Sequence, residues 1–361
     1  MDNIYVTSPL LPDIGKFKNC IDEICESKFL TNNGKFLQKF EQSLANYLGV
    51  EYVSVFTNGT FPLVAALKAF DIQGEVITTP YSFIATSNVL KLLGLEPVFV
   101  DVDEFGNIDP DKIECAITER TSAVLAVHVY GNPCQVERLE SICGKHNLKL
   151  MYDAAHAFGV EMNGKSILLK GDMSTLSFHA TKVFNTLEGG ALICHSAEMK
   201  RQIDVFRNFG IEDEVCVSDF GINCKMDELR AAWGLLNLEK VDDAIIARKQ
   251  VAMHYRDALR DVDGISFFDD IAEVRHNYSY FPIFVGNGYG MSRDDLYEML
   301  KLHGIFARRY FYPLITDHAI YSDCRREALS NARKLADSVL CLPIFAGMSD
   351  EDVDKVVKEV V

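Results

Sequence analysis

The chain has 361 residues, 48% of them hydrophobic and 24% charged, and a formal net charge of −16 from 36 basic and 52 acidic side chains. That balance argues against nucleic-acid binding, which takes a concentrated basic face, but it admits an anionic small molecule met by a few converging Arg or Lys residues. No apolar run approaches the roughly 20 residues of a membrane span, and "MDNIYVTSPLLPD" lacks the basic start and apolar core of a signal peptide, so no membrane partner and a cytoplasmic location are expected.

Helical spacing first shows over Phe36 to Tyr47. Strand-like runs then alternate with amphipathic stretches. "EYVSVF" (51–56) leads to a helix over Phe61 to Phe70, "EVITTP" (75–80) to a helix over Phe83 to Leu93, and "EPVFVDV" (96–102) to a short helix near Pro110 to Ile117. "SAVLAVHVYG" (122–131) precedes a helix over Val136 to His146, and "LKLMYD" (148–153) follows it. "STLSFH" (174–179) and "GALICH" (190–195) close the series. Apolar strands alternating with helices predict an α/β fold, with a mixed, mainly parallel sheet sandwiched between helices. Met226 to about Val262 reads as long and helical. Strands "ISFFD" (265–269) and "YSYFPIFV" (278–285) and helices near 292–303 and 331–341 then make a smaller α+β unit. The expected division is a large domain over 1–240 and a small C-terminal domain over 241–361.

Ten cysteines include no CxxC pair and no Cys/His cluster at zinc-like spacing, which predicts buried free thiols and no metal. "GNGYG" (286–290) has the wrong spacing and the wrong place for a dinucleotide loop.

Four pieces carry chemistry. "TNGTFP" (57–62) ends a strand and opens a helix, with Thr60 as the cap candidate. Such a helix start can receive a phosphate, or be a plain turn. Asp153 ends the strand "LKLMYD", where a carboxylate can cap a helix or hold a pyridinium nitrogen protonated; His156 can contact the same ring or be a buried core histidine. Lys182, in "SFHATKVFNTLEGGAL" (177–192), has no acidic neighbour in sequence. A partly buried amine there can form a Schiff base with an aldehyde, while Ser177 and Thr181 offer hydroxyls for a phosphate. Phe83 or Tyr81, in "YSF" (81–83), can lie flat on a ring face or belong to the core. A phosphate site, a ring-nitrogen partner and an imine-forming lysine on one sheet are the parts a pyridoxal phosphate site requires.

These motifs resemble the fold-type I, pyridoxal-phosphate-dependent nucleotide-sugar aminotransferases, the DegT-like group. The resemblance covers nearly the whole chain, from "FLTNNGKFLQKFEQSLANYLG" (29–49) through "FTNGT", "TTPYSFIAT", "HVYGNP", "YDAAHAFG" and "SFHATKVFNTLEGGA" to "GINCKMDELRAA" (221–232). It implies that Lys182 bonds the cofactor aldehyde and shuttles protons, that Asp153 partners the pyridinium, and that His156 stands where many relatives have glutamine. It places Gly59, Thr60 and Ser177 at the phosphate and Phe83 on the ring. Asn223 would reach the phosphate of a neighbouring subunit, which implies a homodimer that shares its active sites. Asn32 is carried over as a substrate contact. Arg308 and Arg309, in "FARRYFYPL", can bind pyrophosphate or the glutamate carboxylate, or be salt-bridged surface residues.

Dehydratases of the group carry histidine at the lysine position, so Lys182 favours transamination. The expected reaction moves an amino group from L-glutamate to a nucleotide-linked keto sugar. The loop after Ser177 is closer to members that aminate dTDP-4-keto-6-deoxyglucose for O-antigen and similar surface glycans than to the 3-ketosugar enzymes. A 3-ketosugar aminotransferase, or a regulatory protein that binds the cofactor without turnover, is the alternative.

Overall fold

The computed structural model describes residues 3–361. Its centre is a seven-stranded sheet of β1 (Tyr52–Phe56), β2 (Glu75–Thr78), β3 (Glu96–Phe99), β4 (Thr121–Val127), β5 (Lys149–Asp153), β6 (Met173–Ser177) and β7 (Gly190–Cys194). The spatial order is β1-β7-β6-β5-β4-β2-β3. Strands β2 to β6 pair in parallel, and β7 alone runs against both neighbours, β1 and β6. All residues of β2 and β7 are buried, as expected for strands with helices on both faces.

Helix α1 (Ile14–Ser27) begins at Asp13, whose carboxylate accepts the Lys16 N–H. Helix α2 (Lys35–Leu48) buries Phe36, Leu37, Phe40, Leu44 and Leu48 on one stripe and stops at Gly49, whose φ of 63° is the left-handed cap that glycine adopts without strain. Its N-terminus has no cap of its own. Instead Glu228, buried in α7 (Glu228–Leu238), accepts the Phe36 and Leu37 N–H groups at 2.8 and 2.9 Å, which places a carboxylate on the positive end of the helix. Between the strands lie α3 (Thr60–Ala69), α4 (Ala85–Leu92), a short helical stretch over 110–116 and α5 (Val136–His146); α6 (Ala197–Phe206) follows β7.

The run read as one helix from Met226 breaks at 239–240 into α7 and α8 (Val241–Leu259). A second, antiparallel sheet of β8 (Ile265–Phe267), β9 (Phe281–Val285) and β10 (Val339–Leu342) follows, with α9 (Arg293–Leu302), α10 (Ser330–Ser338) and α11 (Asp350–Val360). The helix expected over 331–341 therefore ends at Ser338. "VLCL" is a strand because it pairs with β9 on a fully buried edge, a tertiary demand that helical periodicity does not show. The N-terminal pair Ile4–Tyr5 stays outside the large sheet and pairs in parallel with Ile305–Phe306.

All ten cysteines are free, six of them buried. Among the described residues no cluster of His, Cys, Asp and Glu could hold a metal, and no helix is long and apolar enough to cross a membrane.

Candidate active site

The site forms where β1, β5 and β6 end, at the carboxyl edge of the sheet, as open α/β sheets lead one to expect. Gly190, the first residue of β7, pairs with both Phe56 and Ser177. A Cβ on it would meet the Asn58 carbonyl oxygen at 2.4 Å and Gly59 Cα at 2.8 Å. Glycine therefore lets the turn after β1 cross the head of β7. Gly59 in turn presses on Ser177, since a Cβ there would lie 2.7 Å from Ser177 Cβ and 2.9 Å from its Oγ. The "GG" of the lysine loop and the "NG" after β1 are thus two halves of one close approach, which brings the start of α3 against the end of β6.

The cap of α3 differs from the expectation. Thr60 is its first helical residue, and Asn58 Oδ1 accepts the N–H groups of Thr60 and Phe61, at 2.9 and 3.1 Å. An asparagine two residues before the helix reaches those donors, whereas the Thr60 side chain already stands inside the first turn. The Thr60 hydroxyl has no hydrogen-bond partner among the described residues, and Gly59, just before it, lies against Ser177.

Asp153, 7% exposed, accepts from the Thr86 hydroxyl at 2.8 Å and from the Ala155 N–H at 3.1 Å. Burial pushes its carboxyl above the usual carboxylate range, against the opposing pull of Thr86, Ala155 and Lys182. His156, 5% exposed, accepts the Tyr130 N–H on Nδ1 at 3.1 Å, which puts its proton on Nε2. Burial, and then the charge of Lys182, hold this imidazole well below its ordinary value, so it is a neutral donor. It stacks on Phe311 at 5.8 Å and 4°. Burial lowers the half-buried Lys182 amine to about 8 while Asp153 pulls the other way. No salt bridge joins Lys182 to any carboxylate among the described residues.

Of the other expected residues, Phe83 and Arg308 line a cavity that borders this cluster through Phe311, the ring stacked on His156. Phe83 is 60% exposed and shares this cavity, of about 330 Å³, with Arg308, Arg309, Tyr297, Tyr312 and His318. Tyr81, its alternative, is fully buried, hydrogen-bonds Tyr130 at 2.6 Å and is a core residue. The two arginines differ. Arg309 is bound to Asp294 at 2.7 Å and faces the rings of Tyr297 and Tyr312, whereas the exposed Arg308 side chain has no ion pair among the described residues. Asn32 lines a different cavity, with Lys200, Arg207 and Lys225. The exposed Asn223 accepts from that same Lys225 at 2.9 Å. Within one chain Asn32 and Asn223 thus share neighbours with each other and none with Arg308.

Three residues at the site escaped the sequence: Asn58, Thr86 and Tyr280, the last 3.4 Å from Lys182 Nζ. An Asn–Gly pair ahead of a helix was a usable signal for Asn58. Thr86, inside "FIATSNV", and Tyr280, inside "YSYFP", read as ordinary helix and core residues.

A sheet with one reversed strand, and a lysine, an aspartate and a neutral imidazole at its carboxyl edge, is the architecture of fold-type I aminotransferases. Residues 13–361 match the DegT/DnrJ/EryC1/StrS aminotransferase family, and the chain belongs to it. It is 49% identical to a dTDP-4-amino-4,6-dideoxy-D-glucose transaminase of Shigella dysenteriae, covering 99% of this chain and 98% of that one. It is 45% identical to an Escherichia coli protein of the same name, over 98% and 97%. Among solved structures, DesI in the presence of its TDP-sugar product superposes with a TM-score of 0.95 at 33% identity, over 99% of this chain and 92% of that one.

Proposed function

We propose that this aminotransferase uses pyridoxal 5′-phosphate to move an amino group from L-glutamate to dTDP-4-keto-6-deoxy-D-glucose. The product would be dTDP-4-amino-4,6-dideoxy-D-glucose, for O-antigen or a similar surface glycan. The observation that carries the reading is that buried Asp153 and His156 and half-buried Lys182 stand together at the carboxyl edge of the sheet, with no salt bridge on Lys182 or Asp153 among the described residues. The names of the two full-length relatives support the sugar.

The residues present fit the cofactor. Its phosphate would meet the Thr60 hydroxyl, Ser177 and the Gly59 backbone, which come together because Gly59 has no Cβ to hold Ser177 away. A cationic ring nitrogen would give the buried Asp153 carboxylate the positive partner that the protein itself withholds. His156 Nε2–H is a donor for the ring oxygen, and Phe83 would cover a ring face. When bound, pyridoxal phosphate supplies an aldehyde that carries the amino group and a pyridinium ring that accepts electron density.

The chain's own contribution is proton handling. Burial lowers the Lys182 amine to about 8, so near neutral pH it gives up its proton far more readily than an ordinary lysine. Lys182 Nζ can therefore take a proton from the donor's α-carbon and return one to the amino sugar's new C–H position. Asp153 keeps the proton on the ring nitrogen, and His156 stays neutral throughout. We read the enzyme as a homodimer in which Asn32 and Asn223 complete the neighbouring subunit's site. Residues 1–240 would be the cofactor domain and 241–361 the small domain. Arg308, whose guanidinium is uncommitted, is the better candidate for an anionic group of substrate, since Arg309 is held by Asp294.

The test is product analysis with ¹⁵N-labelled glutamate. Label at C-4 of the dTDP sugar, seen by NMR, is the predicted result. Label at C-3 of a 3-keto isomer, with the 4-keto sugar untouched, would overturn the assignment.

A further inference from the structure

Tyr280 has no part in the reading above, yet its hydroxyl is the sole side-chain partner of Lys182 Nζ among the described residues, at 3.4 Å. The amine also stands 5.7 Å from the centre of its ring. Three rings fix that ring edge-on: His156 at 4.9 Å, Tyr310 at 5.3 Å and Tyr130 at 6.1 Å.

The backbone around Tyr280 is tied down as well. Asn277 Nδ2 donates to the carbonyls of His156 and Phe158, at 2.8 and 2.9 Å, and Ser279 Oγ donates to His156 at 2.7 Å. From the other side Arg248, buried and without an acidic partner among the described residues, donates to the carbonyls of Tyr278, Ser279 and Ile344. Residues 277–280 are thus bound to the loop that carries His156, and a buried cation is spent on holding them there. Burial also raises the Tyr280 phenol far above its ordinary value, so it keeps its proton whenever Lys182 exchanges one.

We propose that Tyr280 is a positioning residue for Lys182, its hydroxyl accepting a hydrogen bond from the charged amine and donating one to the neutral amine, so that Nζ holds its place in both states. The inference rests on reading Lys182 as the reactive amine. A lysine side chain is a flexible four-carbon stem, and without such a partner a freed amine would sample several rotamers. The bond to the ammonium is charge-assisted and stronger than the bond to the neutral amine, so the hydroxyl also limits how far burial lowers Lys182.

The variant is Tyr280→Phe, which removes one oxygen and keeps the ring packing. The readout is the pH midpoint for labelling Lys182 with a small amine-reactive reagent in the cofactor-free protein, followed by peptide mass spectrometry. The expected result is a midpoint about one pH unit below that of the wild type, with thermal unfolding within a few degrees of it. In the loaded enzyme kcat should fall about tenfold while KM for glutamate stays near its wild-type value. A folded Tyr280→Phe protein with an unchanged labelling midpoint would overturn the proposal. The labelling needs no cofactor, so failure of wild-type protein to form a visible band with pyridoxal phosphate would strike the functional reading alone.

Discussion

Two buried groups of charge in this molecule are treated in opposite ways. At the β1 edge, Glu41 of α2 accepts from Arg207 at 2.6 Å, from Lys200 at 2.9 Å and from the Val55 N–H at 2.9 Å. Asp204 closes the network on Arg207 at 2.7 Å. Burial alone would raise Glu41, but Arg207 and Lys200 win and hold its carboxyl below the ordinary value. At the site, burial wins instead: Asp153 is raised and Lys182 lowered. The Glu41 cluster is closed by opposite charges of the protein itself, whereas Asp153 and Lys182 have no salt bridge among the described residues, and that shortfall is what a charged cofactor can fill.

The sharpest way to break the comparison is to remove the reactive amine. Lys182→Ala should lower turnover on the order of 10³-fold or more while cofactor still binds without a covalent bond and the fold persists. Steady-state rates beside unfolding curves check this, and near-normal activity would end the assignment. In the wild type, the rate at which apoprotein captures pyridoxal phosphate should climb as pH rises through about 8 and then level off, as the neutral amine accumulates.

Next comes the paired cluster. Glu41→Ala should cost about 1.5–3 kcal/mol in denaturant unfolding, because it leaves Arg207 with Asp204 as its one carboxylate and the Val55 N–H without an acceptor. It should leave the visible band of the folded protein in place. The sign with pH follows from the lowered carboxyl: Glu41 stabilises fully above its ordinary value of 4.5, and the contribution is lost as pH falls through the lower folded-state value.

Asp153→Asn should do the reverse of Glu41→Ala. Turnover should fall about a hundredfold, while the cofactor-free protein near neutral pH melts no lower than the wild type. A raised folded-state carboxyl means that ionised Asp153 opposes folding, and that cost grows as pH climbs from 3.8 through the raised value. A marked loss of apoprotein stability would make Asp153 a structural residue. The smallest effect belongs to Thr86→Val, which deletes the hydroxyl on Asp153 Oδ2. Activity should drop by a few-fold, and the pH dependence of the visible band should shift with little change in melting.

Much of this was legible in the sequence because it is local. The seven large-sheet strands announce themselves as apolar runs between helices, and Asp153, His156 and Lys182 stand at strand ends, where α/β sites form. What stayed hidden depends on contacts distant in the chain. Tyr280 reaches Lys182 from 98 residues away, and nothing in "YSYFP" marks one tyrosine as different from its neighbours. Thr86 is identified only by the carboxylate it meets. "VLCL" is a strand only because β9 lies beside it, and Asn58 displaced Thr60 as the cap through a turn geometry that the pair "NG" hints at without fixing. Arg308 and Arg309 look alike in sequence, and it is Asp294 that separates them.

The central claim is that Lys182 and Asp153 are left unpaired for a cofactor. It is tested most directly by the visible absorption spectrum of the protein loaded with pyridoxal phosphate, before and after L-glutamate. The account predicts a yellow band that fades to a pyridoxamine-like spectrum on adding glutamate and returns with the keto sugar. A protein that stays colourless when offered pyridoxal phosphate would contradict it.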